Sequence, residues 1–212
     1  MPDRPTTLER LVFFSDAVFA ISITLLALDL RLPAELSPDS DAGFLDALVR
    51  AAPQLFAFVL SFFIGGAFWI GHVRTLHSIT RTNSTLITLN LVVLFFIALL
   101  PFPTSVLAEH GDLSYAALLY AVCVGFVGLA AVSLWLYATR VAGLAPAVSP
   151  DLSRAIAIRM AVTPALFGFS IPVALIAPSL APIVWLATFP ATTLVSRRLG
   201  IGAAIEHSLS SD

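Results

Sequence analysis

Lysine is absent from this 212-residue sequence, and charged residues of both signs make up only 11% of it. A soluble domain carries roughly 25%. With 58% hydrophobic residues and a mean hydropathy of +0.96, the shortage of charge excludes a water-soluble globule and points to a membrane protein. The formal net charge of -2 and a pI near 6.0 come with no run of positive charge that could track phosphates, which excludes nucleic acid as a partner. Cysteine is almost missing too. Cys123 is the only one and falls in an apolar run, so an intrachain disulfide and a CxxC redox or metal motif are excluded, and a small buried hydrophobe is expected. No GxSxG, no HExxH and no Cys/His pair at plausible depth occurs, so no enzyme is expected, and no cofactor is implied. The segment MPDRPTTLER is too polar for the start of a signal peptide, and the apolar run after it is too long for an h-region.

What is there is apolar sequence in membrane-length pieces. A spanning helix needs roughly 20 mostly apolar residues, and six stretches qualify: 10–30, 53–73, 86–107, 115–139, 155–177 and 182–197. They fill nearly the whole chain, so residues 1–212 are expected to form one all-α, six-span membrane domain with the lipid bilayer as its surroundings. The longest connection, RLPAELSPDSDAGFLDALVR, is acidic with Pro and Ser breakers and is expected to be a loop. The last span, APIVWLATFPATTLVS, is short and carries Pro190, so a tilted, kinked or partly re-entrant segment is expected.

The arginines orient the chain. With the N-terminus inside, Arg4, Arg10, Arg74, Arg81, Arg140, Arg154, Arg159, Arg197 and Arg198 fall on the cytoplasmic side and only Arg31 and Arg50 outside. That asymmetry follows the positive-inside rule and puts both termini in the cytoplasm of a cell (plasma) membrane protein. Glu35, Asp39, Asp41, Asp46, Glu109 and Asp112 collect on the opposite face, read as a solvated acidic surface.

The first span, RLVFFSDAVFAISITLLALDL, has two faces. At about 100° per residue, Phe14, Ala17, Thr24, Leu25 and Leu28 lie within about 60° of Ile21. This is a stripe of hydrocarbon with one hydroxyl at its edge. Ser15 and Asp16, about 120° and 220° away, point toward whatever packs behind the helix. An intramembrane carboxylate costs roughly 2.5 to 3.5 kcal/mol on insertion scales, so Asp16 needs partners inside the bundle. Trp69 and His72, at i and i+3 of the second span, and Asn83 and Asn90, at the start of the third, offer donors at a compatible depth. The reading favoured for this cluster is an interhelical clamp; no metal spacing is present. His77 is either a further member or an exposed loop residue, and Arg10 is expected to snorkel or to cap a local acceptor.

These residues resemble the signature of the transmembrane protein 175 family of potassium-permeable channels, in particular its single-repeat prokaryotic members. The resemblance rests on Arg10, the FSD at Phe14-Ser15-Asp16 and AVFAISITLLALDL after it. It continues through Trp-x-x-His and Asn-Leu…Leu-Pro-Phe in FVLSFFIGGAFWIGHVRTLHSITRTNSTLITLNLVVLFFIALLPFPTSVL. It covers about residues 8 to 107; the back half matches in hydropathy and span count. It implies a homotetramer with the first helix of each subunit lining a central pore that passes potassium and other monovalent cations. By position, the resemblance makes Ile21, Leu25 and Leu28 successive rings of a hydrophobic constriction, with Thr24 as the hydroxyl layer tied to potassium preference. It also assigns Arg10, Phe14, Ser15, Asp16, Trp69, His72, His77, Asn83 and Asn90 to a structural polar network, and leaves open which His completes it.

Such a constriction offers no ligand to a cation, so width and wetting set permeation. From Ile21 to Leu28 an α-helix rises about 10 Å. A leak-like conductance is expected, without a voltage sensor, since no helix shows Arg at every third position. Two other readings of the same residues are a secondary transporter, which the lack of a midplane carboxylate and of inverted repeats speaks against, and a nonconducting membrane scaffold whose apolar stripe is a packing surface.

Overall fold

The structure, a computed structural model, describes residues 6–31 and 41–201. Arg4, Glu35 and Asp39 lie outside the described residues. Among the described residues, six helical segments are long and apolar enough to cross a membrane: Thr7–Leu28, Ala52–His77, Ser84–His110, Ser114–Val141, Pro150–Ile176 and Pro178–Arg198. Each coincides with one of the six stretches read from the sequence, displaced by a few residues at the ends.

Within these spans the helices begin and break where their chemistry requires. Helix α1 (Thr7–Leu25) starts at a capping box, with the Glu9 amide donating to Thr6 Oγ1 at 3.2 Å and the Thr6 amide donating back to Glu9 Oε2 at 2.6 Å. The connection expected to be a loop contains a helix, α2 (Asp41–Arg50). Its Asp46 and Arg50 pair at 2.9 Å across one turn, and the fully buried Ala47 packs inward; the breakers that suggested a loop lie N-terminal to it. Helix α3 (Ala52–His77) is continuous.

The third span divides into α4 (Ser84–Leu99) and α5 (Pro101–His110), because Pro101 and Pro103 have no amide to continue the ladder. Helix α6 (Ser114–Leu136) closes in a π turn over Tyr137–Val141, after which Gly143 takes a positive φ of 57°. Helix α7 (Pro150–Ile176) starts on Ser149, whose hydroxyl accepts from the Leu152 amide. The sixth span breaks at Ala187 into α8 (Ala181–Leu186) and α9 (Thr188–Arg198). The ring of Pro190 conflicts with the carbonyl four residues back, at Leu186, so the kink expected from the sequence is present.

Helices α6 and α7 form the tightest seam: a Cβ on Gly128 would lie 2.7 Å from Pro164 Cδ. Toward one end the interior is aromatic, with Tyr120, Phe167 and Trp185 in contact and the last two stacked at 5.7 Å. Toward the other it is aliphatic around Phe19, Leu86, Val93, Val127 and Leu134. Loops at the arginine-rich end are tied by the Thr80 amide donating to the Leu144 carbonyl at 2.9 Å. Many large apolar side chains, among them Phe63, Phe95, Phe102 and Ile176, face outward, as lipid-facing surface does. Because lipid supplies no hydrophobic drive between helices, packing and interhelical hydrogen bonds hold such a bundle together. Cys123 is buried, its thiol 3.9 Å from the Phe96 carbonyl.

Candidate functional site

Helix α1 buries Leu11, Ser15, Phe19 and Ser22, and Leu26 follows on the same side. The spacing of four, four, three and four keeps them on one stripe, which packs against α3 and α4. Ser15 is completely buried. Its hydroxyl donates to the Leu11 carbonyl at 2.8 Å and accepts from Asn90 Nδ2 at 3.0 Å, joining α1 to α4. Asp16 Oδ1 accepts from Trp69 Nε1 at 2.9 Å, joining α1 to α3 in a more exposed position. Between these two links lies His72, buried, its ring centroid 5.2 Å from that of Phe19 and with Asn90 beside it. His72 Nε2 and Asn90 Oδ1 are buried and interact with each other, though neither makes a hydrogen bond of good geometry.

This arrangement corrects the sequence reading of one carboxylate shared by all donors. Asp16 takes the tryptophan, and the asparagine goes to Ser15. Asn83 belongs elsewhere: its Oδ1 caps α4 by accepting from the Leu86 amide at 2.8 Å, and its Nδ2 donates to the Tyr137 hydroxyl at 2.9 Å. Seven residues on one helix face are about 10 Å apart along the axis, too far for Asn83 and Asn90 to serve one carboxylate. His77 is exposed at the end of α3, so of the two histidines only His72 lies against α1. Arg10 is exposed and Phe14 is 52% exposed, on the face away from the buried links.

The opposite face of α1 is uncovered in the single chain: Ile21 is 59%, Leu25 40% and Leu28 63% exposed. Thr24 is exposed beside them, and its hydroxyl donates back to the helix, 2.9 Å from both the Ala20 and Ile21 carbonyls. After Leu25 the chain tightens into a 3-10 turn, Leu26–Asp29. Such a turn rises about 2.0 Å per residue with three residues per turn. Leu28 therefore eclipses Leu25, and the stripe from Ile21 to Leu28 is about 12 Å long, where a uniform α-helix gives about 10 Å.

Sequence reasoning missed a second set of buried polar links. Thr104 Oγ1 donates toward Ser61 Oγ at 2.9 Å, Ser61 shares a hydrogen bond with the Tyr120 hydroxyl at 3.0 Å, and Trp185 Nε1 donates to Ser170 Oγ at 2.8 Å. The signal was available: each is a hydroxyl inside a span, where an unpaired one is costly. Among the described residues no three His, Cys, Asp or Glu side chains come together to hold a metal.

A hydrocarbon stripe presented on a helix whose other face is pinned by short polar links suits contact with lipid, with another helix or with a passage, and comparisons with known proteins bear on which. Residues 10–101, from α1 to the start of α5, match the family model described as endosomal/lysosomal potassium channel TMEM175. A protein of Streptomyces collinus named as a potassium channel is 37% identical over 158 residues, 72% of this chain and 75% of the relative. Another so named, from Chamaesiphon minutus, is 35% identical over 115 residues, 53% of this chain and 56% of its own length. The fold superposes with a TM-score of 0.75 and 27% identity on the crystal structure of a lysosomal potassium-selective channel TMEM175 homolog from Chamaesiphon minutus, covering 91% of this chain and 97% of that one. With α1, its polar links and the whole six-span architecture inside these matches, the chain belongs to the TMEM175 family.

Proposed function

We propose that this chain is the subunit of a potassium-permeable, leak-like cation channel, with four copies arranged so that α1 of each lines one central pore. In this reading Ile21, Leu25 and Leu28 form successive hydrophobic rings and Thr24 a hydroxyl layer. The Ser15–Asn90 and Asp16–Trp69 links hold α1 in register against its own subunit, with His72 packed behind it. Arg10 and Phe14 sit at the entrance end.

The observation that carries the reading is the division of α1 into a pinned, buried face and an uncovered hydrocarbon face, in a family whose relatives in Streptomyces collinus and Chamaesiphon minutus bear potassium-channel names. Rings of aliphatic side chains give a cation nothing to bind, so passage depends on water persisting in the constriction. Potassium is then the permeant ion and no cofactor is needed; the protein is a channel and not an enzyme. The arginine asymmetry supports a multi-pass protein of the cell membrane with cytoplasmic termini.

The test is purified protein in liposomes loaded with potassium, with protomers counted in the same preparation. Potassium release down its own gradient, with no imposed pH gradient or cosubstrate, and four subunits per particle are expected. Flux that strictly requires a second coupled solute, or a monomer that transports, would return the reading to a secondary transporter.

A further inference from the structure

Behind α1, on the side away from the exposed stripe, the bundle encloses a partly open cavity of about 90 Å³ between α3, α6, α7 and α9. None of Ile21, Thr24, Leu25 or Leu28 lines it. That volume accommodates several waters or a small head group. Its walls have two characters. Ile64, Phe68, Leu134, Met160 and Phe189 supply an apolar side, whereas Arg159, His72, Thr163 and Thr188 supply donors.

The polar side is left incomplete by the protein itself. His72 and Thr188 are each more than nine-tenths buried; His72 interacts with the Asn90 side chain, whereas Thr188 Oγ1 has no hydrogen-bond partner. Arg159 is half-buried, and Arg74, exposed on α3, acts on it as a like charge. Among the described residues, neither arginine has a carboxylate within salt-bridge distance. Asp16, the carboxylate that acts on His72, is engaged by Trp69 and does not line the cavity. A half-buried guanidinium toward the cytoplasmic end of its span, with a like charge acting on it and no carboxylate in reach among the described residues, lacks an acceptor that a protein normally provides.

We propose that this cavity is a binding site for an anionic amphiphile, its phosphate or carboxylate oxygens on Arg159 and the neighbouring donors and its apolar portion along the Phe68 and Met160 wall. An oxyanion meets the planar guanidinium fork with two parallel hydrogen bonds, which a water cannot match. The apolar wall adds affinity for a chain that a bare ion lacks. Such a ligand arrives either from the surrounding lipid or from solution, and the two differ in whether the tail is needed. The proposal does not depend on the channel reading, since binding is read directly.

The full-length protein in maltoside detergent, which brings no anion, is titrated with decyl phosphate, inorganic phosphate and decanol, with binding followed by calorimetry and by the shift in Tm. Decyl phosphate is expected to bind and to raise Tm, decanol to bind at least tenfold more weakly. Inorganic phosphate binding as tightly as decyl phosphate assigns the site to soluble anions; binding at least tenfold weaker assigns it to lipid-borne ones. Arg159→Gln is expected to lower affinity at least tenfold, with Arg159→Lys between it and the parent. Gly71 lines the cavity, and a Cβ there meets no heavy atom within 4 Å, so the branched side chain of Gly71→Val starts from open space, takes up cavity volume and is expected to abolish binding. It also decides the matter if Arg159→Gln does not fold. The proposal is overturned if neither phosphate binds, if decanol binds as well as decyl phosphate, or if Gly71→Val binds decyl phosphate as the parent does.

Discussion

Replacing Ser15 with alanine takes one oxygen out of the buried seat of α1, and its cost follows from which groups lose a partner. The Leu11 carbonyl, which received the Ser15 proton, keeps the helix's own amide bond. The loss therefore falls on Asn90, which is fully buried: its Oδ1 has only a poorly formed interaction with His72, and the change orphans Nδ2. A buried donor left unsatisfied costs about 1–3 kcal/mol in soluble proteins. Interhelical hydrogen bonds in membranes average about 0.6 and reach about 1.7 kcal/mol. The membrane figure governs, because separated helices in lipid also find partners, so Ser15→Ala is expected to destabilise by about 1 kcal/mol.

Asn90→Leu makes the complementary change. It gives up the same hydrogen bond but removes the poorly satisfied Oδ1 too, in a side chain of the same branched shape and heavy-atom count, and is expected to stay within about 0.5 kcal/mol of the parent. In the double variant Ser15→Ala has no amide left to orphan, so its penalty should disappear. The cycle then yields a coupling of about 1 kcal/mol, above the roughly 0.3–0.5 kcal/mol scatter of independent sites. Reversible unfolding in mixed micelles with added dodecyl sulfate, followed by tryptophan fluorescence, measures all four corners. A Ser15→Ala penalty that is unchanged in the Asn90→Leu background would refute the accounting and separate the two residues energetically despite their contact.

Two further substitutions probe the exposed stripe and the tightest seam. If Ile21 lines the proposed pore, Ile21→Asn is expected to raise cation flux per folded particle and to weaken potassium-to-sodium discrimination, because an amide ring holds water where an aliphatic ring expels it; a variant of parental stability with unchanged flux and ion ratio would overturn that placement. Gly128→Ala places a methyl 2.7 Å from Pro164 Cδ, and since a proline ring cannot swing aside, α6 and α7 must separate at a cost of about 1–3 kcal/mol; an unchanged Tm would show that the seam yields freely.

The spans were legible because bilayer thickness imposes a length that hydropathy reports directly, and the break beside Pro190 was legible because proline's missing amide is a local property. The two-faced character of α1 was legible from periodicity. Pairing was not. Asn83 and Asn90 lie seven residues apart, as if on one helix face, but Asn83 is the extended cap before α4, and that placement decides that Asn90 meets Ser15 while Asn83 turns to Tyr137. The cluster of Ser61, Thr104 and Tyr120 was invisible for a related reason: single hydroxyls on three different helices gain meaning only from interhelical register. Helix α2 was hidden by breakers that precede it, and the 3-10 turn after Leu25 leaves no mark in composition.

Thr24 offers a consequence of its own. Its proton is engaged by the carbonyls of Ala20 and Ile21, so toward the outside of the protomer the hydroxyl turns lone pairs only. A hydroxyl held this way is no longer a two-way group. It accepts from a water's hydrogens or leans on a cation, and has nothing to donate to an anion. Copies of it facing one another would form a collar that is electrically neutral yet one-signed in what it tolerates, distinguishing ions by the sign of their charge without placing any charge of its own among hydrocarbon.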